Sequence, residues 1–203
     1  MITIIDLGIS NIKSITRGFV TQGFRVRVTA DPRDVRSAES LVLPGVGAFP
    51  KAMEVLREKG LDLAIKEHAL SGKPLLGICL GMQLLFSDST EHIHAQGLDI
   101  IKGHVVRFPS DRSVPHMGWN EVIQRHPSIL FKGIPDRADF YFVHSYYAVP
   151  DDDKCIIGES DHYGKFVAVV QNGMVFGTQF HPEKSHRYGL LLLRNFATIT
   201  DNT

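Results

Sequence analysis

In the first half of the chain, short apolar runs alternate with stretches whose apolar residues recur every three or four positions. The short runs are rich in β-branched residues and predict strands, whereas the longer spacing predicts helices. The predicted strands are 2–6, 24–29, 39–49 and 73–78. The predicted helices are Ile12 to about Gln22 with Asn11 as a cap, 49–70 with an interruption near Gly60, and 80–86. Because strands and helices alternate, this half predicts parallel strands with helices on both faces.

The second half carries more strand-like runs, which turn sequences such as PDDDK and QNG join. The predicted strands are 98–109, 116–123, 138–149, 154–160, 166–171 and 174–180, and an amphipathic helix follows at 187–199. Turns this short connect antiparallel neighbours. We therefore expect one domain over 1–203, of the α/β class, with a mixed, mostly parallel central sheet flanked by helices and an antiparallel second half.

Composition narrows the classes of function. The 203 residues include 22 basic and 22 acidic side chains, so no net positive charge attracts nucleic acid or an anionic membrane. No apolar run approaches the roughly 20 residues of a membrane span, and the opening MITIIDLG is a strand rather than a signal peptide. With two cysteines and neither a CxxC nor an HExxH motif, we expect no disulfide framework, no metal site and a cytoplasmic location.

The segment GICLG places Cys79 between Gly77 and Gly81, where a predicted strand meets a predicted helix. This is the pattern of a nucleophile elbow, in which glycines give clearance to a sharply turned nucleophile. The N–H groups at the start of the following helix would favour a thiolate, and that of Leu80 would face an oxyanion. Taken alone, the segment fits a packed core cysteine equally well.

A cysteine nucleophile needs a base, and His181 has the most informative surroundings of the ten histidines. It follows a predicted strand in GTQFHPEKS, where Pro182 stops the strand and Glu183 could accept a hydrogen bond from the imidazole. Strand ends are where α/β proteins place their sites. A lone His-x-Glu more often lies in a solvated loop, but together with the Cys79 segment it is more specific.

The turn LPGVGAF at 43–49 leaves backbone N–H groups open and could bind an anion or supply a second oxyanion donor. It also fits an ordinary tight turn between strand and helix. It lacks the Lys and Ser/Thr of a phosphate-binding loop, so we expect no use of ATP. Cys155 has neither a base nor a second cysteine nearby in the sequence, and we interpret it as structural.

Together, LPGVGAF, LLGICLGMQLLF and GTQFHPEKS resemble the triad, or class I, glutamine amidotransferases over nearly the whole chain. Within that family, DLGISNIKSI, VPHMGWNEV and YFVHSYYAV are similar to the glutaminase subunits of imidazole glycerol phosphate synthase. One departure is Ser10, which stands where the family usually has a second glycine in its first turn.

The resemblance implies a cysteine-dependent glutaminase without a cofactor. Its implied catalytic residues are Cys79 as nucleophile, His181 as acid and base, and Glu183 as the group that orients His181. The implied oxyanion donors are the backbone amides of Leu80 and Val46. The implied glutamine-binding residues are Gly47, Gln83, His144, Ser145 and Tyr146.

The resemblance also implies a partner, a (β/α)8-barrel cyclase that uses the ammonia to form imidazole glycerol phosphate in histidine biosynthesis. The implied interface residues are Asn11, Met117, Gly118, Trp119 and Lys184. Trp and Met are enriched at interface cores, although the only Trp of a domain is more often a core residue. Alternatives are a paralogous ammonia donor in surface-sugar biosynthesis, a non-catalytic regulatory subunit, and a stand-alone cysteine hydrolase.

Overall fold

A computed structural model describes residues 1–8, 11–109 and 113–199, so Ser10 lies outside the described residues. The strands are β1 Ile2–Ile5, β2 Val26–Thr29, β3 Ser40–Gly45, β4 Leu75–Cys79, β5 Asp88–Ser89, β6 Ala95–Gln96, β7 Gly103–Arg107, β8 His116–Gln124, β9 Ala138–His144, β10 Tyr146–Pro150, β11 Ile156–Asp161, β12 Lys165–Asn172 and β13 Val175–Thr178. The helices are α1 Ile12–Val20, α2 Pro32–Ser37, α3 Phe49–Glu58, α4 Leu61–Leu70, α5 Leu80–Leu84 and α6 His186–Ala197.

The described strands form a nine-stranded sheet in the order β2-β1-β3-β4-β13-β12-β11-β8-β9. Its first five strands are parallel and the remaining pairs are antiparallel. Helices α1 and α6 bury Phe19 and Phe196 against one face, and α3 and α4 bury Met53 and Ile65 against the other. The predicted α/β class, with its mixed sheet and antiparallel second half, is confirmed.

A second sheet, in the order β10-β7-β5-β6, was not predicted. The single strand predicted over 138–149 is in fact β9 and β10, which belong to different sheets. At the break, the carbonyl of Ser145 accepts the N–H of Phe108 at 3.0 Å, which draws the chain towards β7. Strands β5 and β6 have two residues each, too few to carry the alternation on which prediction depends.

The prediction that the Asn11 side chain caps α1 is wrong. Asn11 makes no side-chain capping hydrogen bond, and its ψ of 60° is not the extended conformation in which a cap residue reaches back to the first N–H groups. The unpredicted α2 has the opposite arrangement. There, Asp31 is extended and accepts the N–H of Arg33 at 2.8 Å.

Close backbone packing holds α5 against β3 and β4. A Cβ atom built on Gly81 would lie 1.8 Å from the carbonyl oxygen of Leu43, and one on Gly77 would lie 2.7 Å from that of Gly81. Both neighbours are backbone atoms, which cannot rotate away. The predicted clearance is therefore confirmed, and what the glycines clear is the strand and helix backbone around the turn.

We expect Gly81→Ala to lower the free energy of unfolding by about 3 kcal/mol, because its methyl group would overlap a backbone carbonyl. Urea denaturation monitored by circular dichroism measures the loss. Gly18→Ala is the matched control, since its Cβ would meet only the flexible ends of the Leu193 and Leu190 side chains. Equal stability of the Gly81→Ala and Gly18→Ala proteins would contradict this packing.

Candidate active site

Cys79 is the last residue of β4, and α5 begins at the next residue, Leu80. Its backbone has φ 55° and ψ −112°, a positive-φ conformation that costs a non-glycine residue of order 1–3 kcal/mol. Such strain persists only where the surrounding structure fixes it, as the glycine packing does here. The nucleophile elbow predicted from GICLG is therefore present.

His181 lies three residues beyond the end of β13, and its Nδ1 is 2.8 Å from Oε1 of Glu183. The two side chains are 4% and 1% exposed, so this pair lies in the interior rather than in a solvated loop. Because a carboxylate only accepts, His181 donates through Nδ1–H. Nε2 has no hydrogen-bond partner among the described residues, which leaves it for proton transfer.

Ser185 fixes the His181 turn against β9, a role that sequence reasoning missed. The N–H of His181 donates to the carbonyl of Tyr141 at 2.9 Å, and the N–H of Tyr141 donates to Oγ of Ser185 at 2.9 Å. The Ser185 hydroxyl donates in turn to the carbonyl of His181 at 2.6 Å. This closed ring of hydrogen bonds determines where the imidazole lies.

Charge at the site favours a protonated His181. Burial opposes the imidazolium, but the negative charge of a Cys79 thiolate and the Glu183 carboxylate outweigh it and raise the pKa of His181 to about 10. At neutral pH the arrangement therefore favours the imidazolium form of His181. An imidazolium can protonate a leaving group, and the imidazole that results can then act as a base.

A cavity of about 280 Å³ opens at Cys79. The lining residues are Val46, Gly47, Cys79, Leu80, Gln83, Glu91, Val143, His144, Tyr146 and His181. Ser145 lies between two of them in the chain. Gly47 has a φ of 100°, which favours glycine. The structure thus brings the Cys79 segment, the His181 segment and the 43–49 turn to one cavity.

Glu91 is a further lining residue that the sequence did not reveal. One carboxylate oxygen accepts the N–H of Phe49, the first residue of α3, at 2.7 Å. This hydrogen bond to the start of the helix fixes the side chain. Residues 87–97 carry no recognisable pattern, so only the tertiary fold identifies this carboxylate as part of the cavity.

A directed chain of hydrogen bonds runs behind the cavity. Nδ1–H of His144 donates to the carbonyl of Tyr146 at 2.8 Å, so its Nε2 is an acceptor. His116 Nδ1–H donates to that Nε2 at 3.1 Å, and Asn120 Nδ2 lies 3.3 Å from His116 Nε2. Burial lowers the pKa of His144 to about 3 and, with the charge of His162, that of His116 to about 4. Both histidines are therefore neutral.

Two of the predicted interface residues are exposed on one side of β8. Met117 is 62% exposed and Trp119 is 46% exposed, so the alternative of a core Trp is wrong. The Trp119 ring stacks on His186 with centroids 4.7 Å apart, and its edge meets Tyr141. Lys184 Nζ lies 5.7 Å from the centre of the same Tyr141 ring.

The other two interface residues have distinct positions. Gly118 has a φ of 138°, and a Cβ there would meet open space. Asn11 lines a small cavity together with Val46, His181 and Glu183.

No group of three or more His, Cys, Asp or Glu side chains among the described residues could hold a metal ion. None of the described helices has the length and apolar character needed to cross a bilayer.

The neutral histidine pair predicts a loss of stability in acid. An unfolded His has a pKa of about 6.5, so between about pH 6.5 and pH 4 the unfolded chain binds protons that folded His116 and His144 do not. The free energy of unfolding should fall by roughly 2–4 kcal/mol over that window. Urea denaturation at both pH values measures the fall.

Two variants separate the histidine contribution to the pH dependence of stability from the contribution of the carboxylates. His116→Phe should flatten the pH dependence, because Phe does not titrate and the ring already stacks on Phe142. His126→Phe, at an exposed position, is the control and should keep the wild-type slope. Equal slopes in wild type and His116→Phe would refute the neutral pair.

Known proteins match this chain along nearly its full length. The model of the family "Glutamine amidotransferase class-I" matches residues 3–199. The imidazole glycerol phosphate synthase subunit HisH of Moorella thermoacetica is 50% identical over 198 residues, covering 98% of this chain and 94% of the relative. The subunit of the same name from Syntrophotalea carbinolica is 48% identical over 203 residues, covering 97% and 98%.

Solved structures share the fold at lower identity. The structure of PurLQS from Thermotoga maritima has a TM-score of 0.77 at 20% identity, over 96% of each chain. A glutamine amidotransferase from the same organism has a TM-score of 0.65 at 19% identity, over 92% of this chain and 77% of that one. The fold, the family match and the near-full-length relatives show that this chain belongs to the class I glutamine amidotransferases, in the group of imidazole glycerol phosphate synthase subunits HisH.

Proposed function

We propose that this chain hydrolyses glutamine to glutamate and ammonia and delivers the ammonia to a cyclase subunit of imidazole glycerol phosphate synthase, in histidine biosynthesis. The observation that carries the proposal is the juxtaposition of a strained Cys79 and a buried His181–Glu183 pair at one cavity. We further propose that the glutaminase domain comprises the whole of 1–203 and acts in the cytoplasm.

In the first half of the reaction, the Cys79 thiolate attacks the side-chain amide carbon of glutamine. The carbonyl oxygen becomes an oxyanion, which the N–H groups of Leu80 and Val46 stabilise. Leu80 is the first residue of α5, where an N–H has no acceptor within the helix. The His181 imidazolium then protonates the amide nitrogen, the carbon–nitrogen bond breaks, and ammonia leaves a thioester on Cys79.

In the second half of the reaction, His181 acts as a base instead of an acid. His181, now neutral, takes a proton from water through Nε2, and the resulting hydroxide attacks the thioester carbon. A second oxyanion forms at the same donors, the carbon–sulfur bond breaks, and glutamate departs from a regenerated Cys79 thiolate. Glu183 holds the imidazole by its 2.8 Å hydrogen bond throughout and stabilises its charged form.

Glutamine recognition follows from the polar groups of the cavity. The substrate's α-ammonium group needs an anion, and we assign Glu91 to it because this carboxylate lines the cavity and is held in place by α3. Both N–H groups of Gln83 are used, on Tyr146 and Gln179, so its carbonyl oxygen is the atom available to a ligand. The main chain at Gly47 and at 144–146 completes the site.

The fate of ammonia explains the need for a partner. Ammonia released into neutral water becomes ammonium, which is no longer a nucleophile. We propose a (β/α)8-barrel cyclase that docks on Met117, Gly118 and Trp119 and on the neighbouring Lys184 and Asn11. The exposed and stacked Trp119 supports this surface, because aromatic residues and Met are enriched at interface cores.

The relatives favour this function over the alternatives. Two relatives near 50% identity carry the name of an imidazole glycerol phosphate synthase subunit, which disfavours a paralogous donor in surface-sugar biosynthesis. A non-catalytic regulatory subunit is disfavoured because Cys79, His181 and Glu183 are all in place.

We expect the protein mixed with glutamine to form glutamate, and to form it faster when a purified cyclase partner is added. Cys79→Ala should abolish the reaction, because alanine has no sulfur to form the thioester. Glutamate is measured by a coupled dehydrogenase assay, and Cys155→Ser is the control that should retain activity. Full activity in Cys79→Ala would refute the proposal.

Alkylation distinguishes a reactive cysteine from an inert one. At neutral pH we expect iodoacetamide to modify Cys79 at least about tenfold faster than Cys155, since Cys79 lines a cavity together with His181. Burial, aided by the Asp152 charge, raises the pKa of Cys155 to about 11. Mass spectrometry of Cys79→Ser and Cys155→Ser proteins gives the two rates. Equal rates would favour a non-catalytic subunit.

A further inference from the structure

Gln179 lies two residues before His181 and has no role in the mechanism derived above. It is fully buried, and its N–H donates to the carbonyl of Ala168 at 2.8 Å, which anchors it to β12. Its side-chain Nε2 lies 3.8 Å from Sγ of Cys79, within hydrogen-bonding range for sulfur. A buried amide beside a nucleophilic sulfur needs an explanation, because burying a polar group is costly unless it is hydrogen-bonded.

The direction of this contact follows from its surroundings. The carbonyl of Tyr146 can only accept, so the Gln83 atom at 2.9 Å from it must be the amide nitrogen. The same nitrogen lies 3.0 Å from the side chain of Gln179, which must therefore present its oxygen there. Gln179 is left with its NH₂ group towards Cys79. A backbone carbonyl thus orients a donor at the nucleophile through two side-chain amides.

The sulfur has different partners in its two protonation states. As a thiol, Cys79 can donate to the carbonyl of Val143, which lies 4.0 Å away. As a thiolate it can no longer donate, and a carbonyl oxygen facing it is unfavourable. The Gln179 amide then becomes the matching partner, because a charged acceptor strengthens an N–H hydrogen bond.

We propose that Gln179 is a direct donor to the Cys79 thiolate, one that stabilises the nucleophile and holds Sγ in its attacking position. The inference rests on the proposed role of Cys79 as nucleophile. It assigns Gln83 a second task besides contact with glutamine, since Gln83 fixes which end of the Gln179 amide meets the sulfur.

The test is the pH dependence of Cys79 alkylation by iodoacetamide in the full-length protein. We expect Gln179→Leu to slow the reaction at neutral pH by about tenfold and to move the midpoint of the profile up by about one pH unit. Gln179→Glu should raise the midpoint further when the new carboxylate is ionised, because a carboxylate cannot donate a hydrogen bond and repels the thiolate. A residue that merely fills space would change stability and leave the midpoint in place.

The remaining titratable groups are the same in every variant. His181, Glu91 and His144 line the cavity, and Glu183 lies behind His181. Gln171→Leu is the matched control, since Gln171 also has both ends of its amide hydrogen-bonded but lies on β12 away from the cavity. It should keep the wild-type midpoint.

A measurement on the unmodified protein keeps the proposal testable if the position-179 variants fail to fold. The side-chain NH₂ resonances of Gln179, followed by nuclear magnetic resonance, should shift with the same pH midpoint as alkylation. The proposal would be overturned if these resonances did not shift at that midpoint, or if the Gln179→Leu profile equalled that of the wild type. Glutaminase activity surviving in Cys79→Ala would instead refute the function on which it rests.

Discussion

The contact of α5 with the backbone of β3 is the constraint on which the site depends. Gly81 allows the helix to approach until the Leu43 carbonyl occupies the space of a side chain. That approach leaves no room for a relaxed connection between β4 and α5, so Cys79 adopts a positive φ. In this conformation Cys79 lines the cavity, and the helix begins at Leu80. One packing contact therefore lies behind both the proposed nucleophile, Cys79, and the proposed oxyanion donor, Leu80.

Segments from the second half of the chain supply several groups beside Cys79. Strand β13 runs parallel to β4, and Gln179 and His181 follow it directly in the chain. The proposed donor and the proposed base therefore lie on one segment. Strand β9 fixes the base through Tyr141 and Ser185. The break after β9 turns the carbonyl of Tyr146 towards Gln83. The site is thus built where two kinds of sheet meet.

Local patterns predicted the central elements because their signals are local. The periodicity of the first half, the glycines around Cys79 and the proline after His181 each act within a few residues. What the sequence could not predict depends on contacts between distant segments. Glu91 enters the cavity only through its bond to Phe49, and the break at Ser145 depends on Phe108. The prediction that Asn11 caps α1 was wrong because the backbone conformation at Asn11, rather than its residue type, determines whether the side chain can reach the first N–H groups.

Successive side chains of β8 point to opposite sides of the strand, so one set lies at the exposed surface and the other faces the hydrogen-bond chain behind the cavity. Met117 and Trp119 point outward, whereas His116 and Asn120 on the opposite side belong to the hydrogen-bond chain that ends at the Tyr146 carbonyl. That carbonyl also accepts from Gln83, whose second N–H orients Gln179. The inward-facing side chains of β8 and the Cys79 sulfur are therefore connected by a series of hydrogen bonds that passes through the Tyr146 carbonyl.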